Sequence, residues 1–126
     1  MHNLNFINTC YKNLNSNKIF YKYFDEEKSY KDLKNYYLKF HFLVKKKRLK
    51  IVTFSDKSFE MYASIASIFL TNNIWIPLSL SLPADRILKV LKLSKVDIIL
   101  VEDNSKILKN DKIKKYINFS KIKVIS

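Results

Sequence analysis

The sequence predicts a layered α/β fold built on a parallel sheet, and three observations carry that expectation. Four short apolar runs recur evenly: KIVTF from Lys50, IWIPL from Ile74, DIILV from Asp97 and KIKVI from Lys121. Their starts lie 24, 23 and 24 residues apart. Helix-like stretches fill the intervals, at 58–71, 83–94 and, more weakly, 107–117. The runs are apolar without clean alternation, as strands covered on both faces are. Strand, helix and strand therefore follow one another three times, which gives at least four parallel strands with right-handed crossovers.

The elements upstream are of a different kind. Residues 1–17 are polar and Asn-rich, and read as a short lead-in segment with one helical turn. Residues 18–24 (KIFYKYF) are aromatic and β-prone, so a strand is expected there, and 25–28 should be its turn. Ser29 has the place of a helix N-cap, with Asp32 three residues on to complete a capping box. Leu33, Tyr36, Tyr37, Phe40, Leu43 and Val44 then form one apolar face at spacings of three and four. Lys45-Lys46-Lys47-Arg48 ends that helix, where cations suit the negative end of its dipole. Farther on, Pro83 suits the first turn of the 83–94 helix, because its missing N–H costs nothing there. Residues 18–126 read as one body after the lead-in.

Composition removes several function classes. The chain has 126 residues and no glycine, where an average chain of this length carries about nine. Glycine allows positive φ and lets backbone close on a ligand. Neither a P-loop nor a dinucleotide fingerprint can be written without it. The formal charge is +13, from 24 basic and 11 acidic residues, and only Arg48 and Arg86 are arginine. Lysine is abundant together with Asn, Ile, Phe and Tyr, the residues that A- and T-rich codons specify. The charge alone therefore does not require a polyanionic partner.

Cys10 is the only cysteine, which rules out an internal disulfide and a cysteine-based zinc site, and suits a cytoplasmic location. The first residues show no basic segment followed by an apolar run, so no signal peptide is expected. Residues 61–84 carry no charge over a length that could span a bilayer. Four serines, Thr71-Asn72-Asn73, Pro77 and Pro83 interrupt that stretch, so no membrane span is expected.

Three motifs, in order, resemble the AMP-dependent synthetase and ligase superfamily, which includes acyl-CoA synthetases, luciferases and peptide-synthetase adenylation domains. Ser29-Tyr30-Lys31-Asp32-Leu33 is similar to the family's Thr/Ser-Tyr-x-Glu-Leu. Residues 51–60 (IVTFSDKSFE) resemble its strand and loop, with Ser58 and Glu60 matching, and Lys57 and Phe59 departing from Asn and Pro. Residues 63–87 carry the strongest likeness. There Trp75-Ile76-Pro77-Leu78 stands for Tyr-Val-Pro-Leu, and Pro83-Ala84-Asp85-Arg86 for Pro-Ala-Glu-Arg. Residues 96–101 resemble the next strand.

There are also departures from the pattern. Asn72 replaces a helix-ending glycine, Ser79 an aspartate, and Arg48-Leu49 a Gly-Asp turn. Asparagine is the next best residue for a left-handed cap.

The resemblance implies a Rossmann-like sheet, an incomplete N-terminal subdomain of an adenylate-forming enzyme. It also implies a two-step reaction in full-length relatives. A carboxylate attacks the α-phosphate of Mg-ATP to give an acyl-adenylate and pyrophosphate, and the acyl group then passes to a thiol or amine. Relatives promote this with a Ser/Thr/Gly-rich loop ending in Pro-Lys-Gly, a later acidic residue and a C-terminal lysine. None of these lies in this chain. The expectation is no catalytic, cofactor-binding or metal-ligating residue here, with ATP and Mg needed only by a full-length relative. The sheet would stop short of the site, leaving the chain inactive alone. Its partner would be a chain carrying the rest of the ligase, or a second copy at an exposed edge.

Other constellations read as scaffold. His41 sits among helix aromatics as a structural histidine, and His2 has no metal-ligand spacing to any acid. Asp25, Glu26 and Glu27 are consecutive and form a solvated turn, not an acid/base pair. The Lys45–Arg48 run, with Tyr21 and Tyr23 as stacking rings, would suit a nucleic-acid binder, although no RNA-module signature accompanies it. A small non-catalytic interaction protein on the same scaffold is the remaining alternative.

Overall fold

The structure is a computed structural model that describes residues 4–54, 58–101, 105–120 and 122–125. The chain forms two compact units, interleaved in sequence. The first comprises Met1–Lys47 with Lys57–Asn73, and the second Arg48–Asp56 with Ile74–Ser126.

The first unit holds α1 (Leu4–Asn13), a hairpin of β1 (Ile19–Tyr23) and β2 (Glu26–Ser29), α2 (Tyr30–Leu43) and α3 (Phe59–Leu70). The lead-in thus carries ten residues of helix instead of a single turn. No cap announces it, but Ile7, Cys10 and Leu14 recur at helical spacing and pack into the unit's core. Tyr11 Oη also donates to the Leu70 carbonyl at 3.1 Å. Tertiary burial, not propensity, makes this helix.

Residues 25–28 also differ from expectation. The turn is the pair Phe24-Asp25, and Glu26–Ser29 forms a second strand, with Tyr23 opposite Glu26 and Lys22 opposite Glu27. An acidic run has low strand propensity, yet pairing with β1 satisfies its backbone. Phe24 takes the turn at φ 53°.

Ser29 caps α2 as expected. Its Oγ accepts from Asp32 N at 3.3 Å, and Asp32 Oδ2 accepts from Ser29 N at 2.8 Å. The helix ends at Leu43, ahead of the lysine run. Leu33, Phe40 and Val44 of its apolar face are buried and Tyr36 and Tyr37 half-buried, but Leu43 is exposed. α3 presents Ala63 and Ala66 to the core, small enough for α2 to come close. Tyr36 Oη and Ser64 Oγ meet at 2.5 Å across the two helices. Phe59 is ringed edge-on by Phe20, Tyr21 and Tyr36.

The second unit is a four-stranded parallel sheet in the order β4-β3-β5-β6. Its strands are β3 (Lys50–Thr53), β4 (Ile74–Pro77), β5 (Ile98–Leu100) and β6 (Lys123–Ile125). Helices α4 (Ala84–Ser94) and α5 (Asp111–Ser120) flank it, so the fold is the mixed α/β class that the sequence predicts. Val52, Phe54, Ile99 and Val101 meet Ile87, Leu91, Ile113 and Ile117 in one buried cluster. The alternate strand positions, Ile51, Ile98 and Leu100, are buried too. The weak helical stretch at 107–117 divides into a 3-10 turn, Lys106–Lys109, and α5. Asn110 separates the two, and its Oδ1 accepts from Ile113 N at 3.1 Å to cap α5. Among the described residues, no helix is long and apolar enough to cross a membrane.

Candidate functional site

In an open parallel sheet, ligands gather at the carboxyl ends of strands, beside the point where strand order reverses. Here the chain runs outward from β3 to β4, then returns past β3 to β5 and on to β6. The switch point therefore lies between β3 and β5. The segments following these two strands, 55–57 and 102–104, lie outside the described residues, and with them Lys57 and part of the second family-like motif.

The described strand ends are turned to structural use. Phe54 N donates to Leu100 O at 3.2 Å, Val101 N to Ile125 O at 3.0 Å, and Leu78 N to Thr53 O at 3.1 Å. Thr53 Oγ1 accepts from Trp75 Nε1 at 3.0 Å. An anion cradle needs converging N–H groups left over for the ligand, and these donors are already engaged. The turn into α4 is also self-contained. Ser79 Oγ accepts from Ser81 N at 3.1 Å, and Leu82 N donates to Ser79 O at 3.3 Å. Pro83 caps α4 without a side-chain bond, and Asp85 places a negative charge in its first turn. That end is poorly suited to phosphate.

The other end of the sheet shows why an aspartate precedes β5. Asp97 Oδ2 accepts from Lys50 N at 2.9 Å, while Asp97 N donates to Lys50 O at 2.9 Å. Asp97 O accepts from Lys123 N at 3.2 Å. One residue thus aligns the starts of β3, β5 and β6.

The candidate nucleophiles are quiet. Burial pushes the Cys10 thiol up to about 11, so it stays protonated at neutral pH. Tyr36 is raised by burial, which outweighs the Ser64 hydrogen bond that lowers it. Tyr30 and Tyr37 are raised chiefly by burial as well. No three His, Cys, Asp or Glu side chains among the described residues come together as a metal site would require. His41 is exposed and stacked on Tyr37, with centroids 5.8 Å apart and planes 11° apart, so the expected structural histidine is instead a surface one. Asp25, Glu26 and Glu27 are exposed, and Glu27 lies 3.5 Å from Lys22. Tyr21 and Tyr23 do come together, beside Phe6, Phe20, Lys22 and Tyr62, around an open hollow of about 360 Å³. These residues come from α1, β1 and α3, and no local sequence signal marks the hollow.

No family model and no curated protein matches this chain. Solved structures do. The o-succinylbenzoate CoA synthetase (MenE) from Bacillus subtilis, in complex with its acyl-adenylate intermediate, superposes with a TM-score of 0.70 at 17% identity. The match covers 97% of this chain and 31% of that one. The N-terminal subdomain of Klebsiella oxytoca NpsA matches with a TM-score of 0.65 at 12% identity, over 79% of this chain and 27% of that one. The chain has the fold of adenylate-forming enzymes. IdnL1 shares that fold with a TM-score of 0.56 at 20% identity, over 68% of this chain and 19% of its own. The chain thus spans less than a third of the length of the adenylate-forming structures it matches. The described residues do not fit Mg-ATP, since the strand-end donors are engaged and no acidic cluster is available for the ion.

Proposed function

We propose that this chain is the N-terminal portion of an ATP-dependent, carboxylate-activating ligase of the acyl-CoA synthetase or adenylation-domain type. Residues 18–126 form the ligase portion and residues 1–17 lead into it. Alone it makes no acyl-adenylate, because its sequence has no glycine for a phosphate loop and its described strand-end donors are engaged. The observation that carries this reading is the 0.70 TM-score over 97% of the chain against less than a third of a CoA synthetase. ATP and Mg belong to elements that the rest of the ligase contributes. The setting is the cytoplasm, and the partner is a chain carrying that remainder or a second copy at the sheet edge.

Two measurements test the proposal. The purified chain should show no carboxylate-dependent exchange of pyrophosphate into ATP. Tagged in its native source, it should co-purify with, or be continuous with, a segment carrying a Ser/Thr-Gly-rich loop that ends in Pro-Lys-Gly, and that species should catalyse the exchange. Exchange by the isolated chain overturns the proposed inactivity; a native protein without such a segment overturns the ligase reading itself.

A further inference from the structure

Within the second unit, α4 and α5 lie side by side and leave a shallow groove of about 470 Å³, lined by Leu88, Lys92, Lys112, Lys115, Tyr116 and Phe119. On α5, residues 112, 115, 116 and 119 share one helical face, and on α4 residues 88 and 92 are a turn apart. Lys92 Nζ stands 5.7 Å from the centre of the Tyr116 ring, which joins the two helices across the groove. Lys112 reaches Asp85 at 3.6 Å, an exposed contact worth little in water. Over these two helices, two acids, Asp85 and Asp111, stand against six bases.

Phe119 is 87% exposed, and Leu93, the residue after Lys92 on α4, is 73% exposed. An apolar groove, an uncovered phenyl ring and a lysine border form a surface with two different halves, one for hydrocarbon and one for anions.

We propose that the α4–α5 face docks onto an anionic lipid surface. The lysine stems lie along the groove and extend their ammonium groups to headgroups, while Phe119 and Leu93 enter the boundary with the acyl chains. Charge complementarity selects the lipid: cytoplasmic leaflets are negative, and this face is strongly basic. A nucleic-acid strand would meet the charge but leave the aliphatic and aromatic groups without use. It would also favour the bidentate arginines that this face, apart from Arg86, does not have. This reading is independent of the ligase proposal, because it rests on one surface and not on a reaction.

The experiment is co-sedimentation of the full chain with phosphatidylcholine vesicles, with and without phosphatidylserine at roughly the level of anionic lipid in a cytoplasmic leaflet. Binding should require phosphatidylserine and weaken as salt rises. Lys112→Ser with Lys115→Ser should lower the partition coefficient by about 25-fold, roughly fivefold per lysine. Phe119→Ser should lower it by about tenfold without altering net charge. Lys45→Ser with Lys46→Ser, which removes the same charge from the first unit, should change it far less. All five side chains are exposed, so these variants should keep the native fold. Equal binding to neutral vesicles, no binding at low salt, or an equal loss in the Lys45/Lys46 variant each overturns the proposal. Tighter binding to a single-stranded oligonucleotide, indifferent to Phe119→Ser, overturns it in favour of nucleic acid.

Discussion

Among the described residues of a chain without glycine, four take left-handed backbone: Phe24, Arg48, Asn72 and Lys95, at φ 53°, 60°, 58° and 52°. A side chain with a Cβ costs roughly 1–2 kcal/mol there, less for asparagine. Asn72 was legible, because it stands where the resemblance places a glycine and its amide suits the cap. Arg48 occupies the corresponding Gly-Asp turn. Lys95 and Phe24 carry no such signal, since the backbone path alone imposes their conformation. Lys95 closes α4 and donates from its N–H to the carbonyls of Leu91 and Lys92. Lys95→Gly should therefore raise stability by about 1 kcal/mol, after allowing for glycine's greater freedom in the unfolded chain. Urea denaturation checks this, and an unchanged or lowered midpoint would count against it.

Cys10 gives a second expectation at this scale. Its folded pKa of about 11 lies above the ordinary thiol value, so the fold favours the protonated form. That preference is fully present below about pH 9 and is lost as pH rises toward 11. The half-buried Tyr30 and Tyr36, also raised, act in the same direction. The urea midpoint should fall between pH 8 and pH 10.5, and Cys10→Ala should flatten part of that fall. A variant whose midpoint drops just as steeply would assign the loss to other groups.

Among the elements, α2 was the most legible, since its capping box is written in four consecutive residues, Ser29 to Asp32, and both reciprocal bonds form. Ser29→Ala should cost about 1 kcal/mol, read as a fall in thermal midpoint of several degrees. Asp32→Asn, which retains an acceptor, should cost less. An equal loss from both would shift the explanation from hydrogen bonding to charge. The four sheet strands and α3 were legible for a similar reason: short apolar runs and the helix-like stretch at 58–71 are local signals. By contrast, α1 and β2 were not legible. Their sequences are polar, and each forms because another segment pairs with it or covers it, the adjacent β1 for β2 and the more distant Leu33–Phe59 core for α1.

For the molecule as a whole, the four-stranded sheet of the described residues ends in β4 on one side and β6 on the other. Short parallel edges of this kind offer backbone groups to another strand. Ile74 and Val124 are exposed on them. The purified chain should therefore self-associate, with a sedimentation coefficient that falls on dilution. A monomer unchanged across a wide concentration range would sink that expectation.

What the sequence determined by itself was the α/β rhythm, the parallel strands and the lack of any glycine-lined phosphate loop, since each depends on neighbouring residues or on composition. Only the tertiary structure decided the strand order and its switch point between β3 and β5. It also decided the engagement of the strand-end donors and the pairing of α4 with α5 into a basic, apolar groove. Those features join residues tens of positions apart, and a contact across such a distance is set by packing, on which local pattern carries no information.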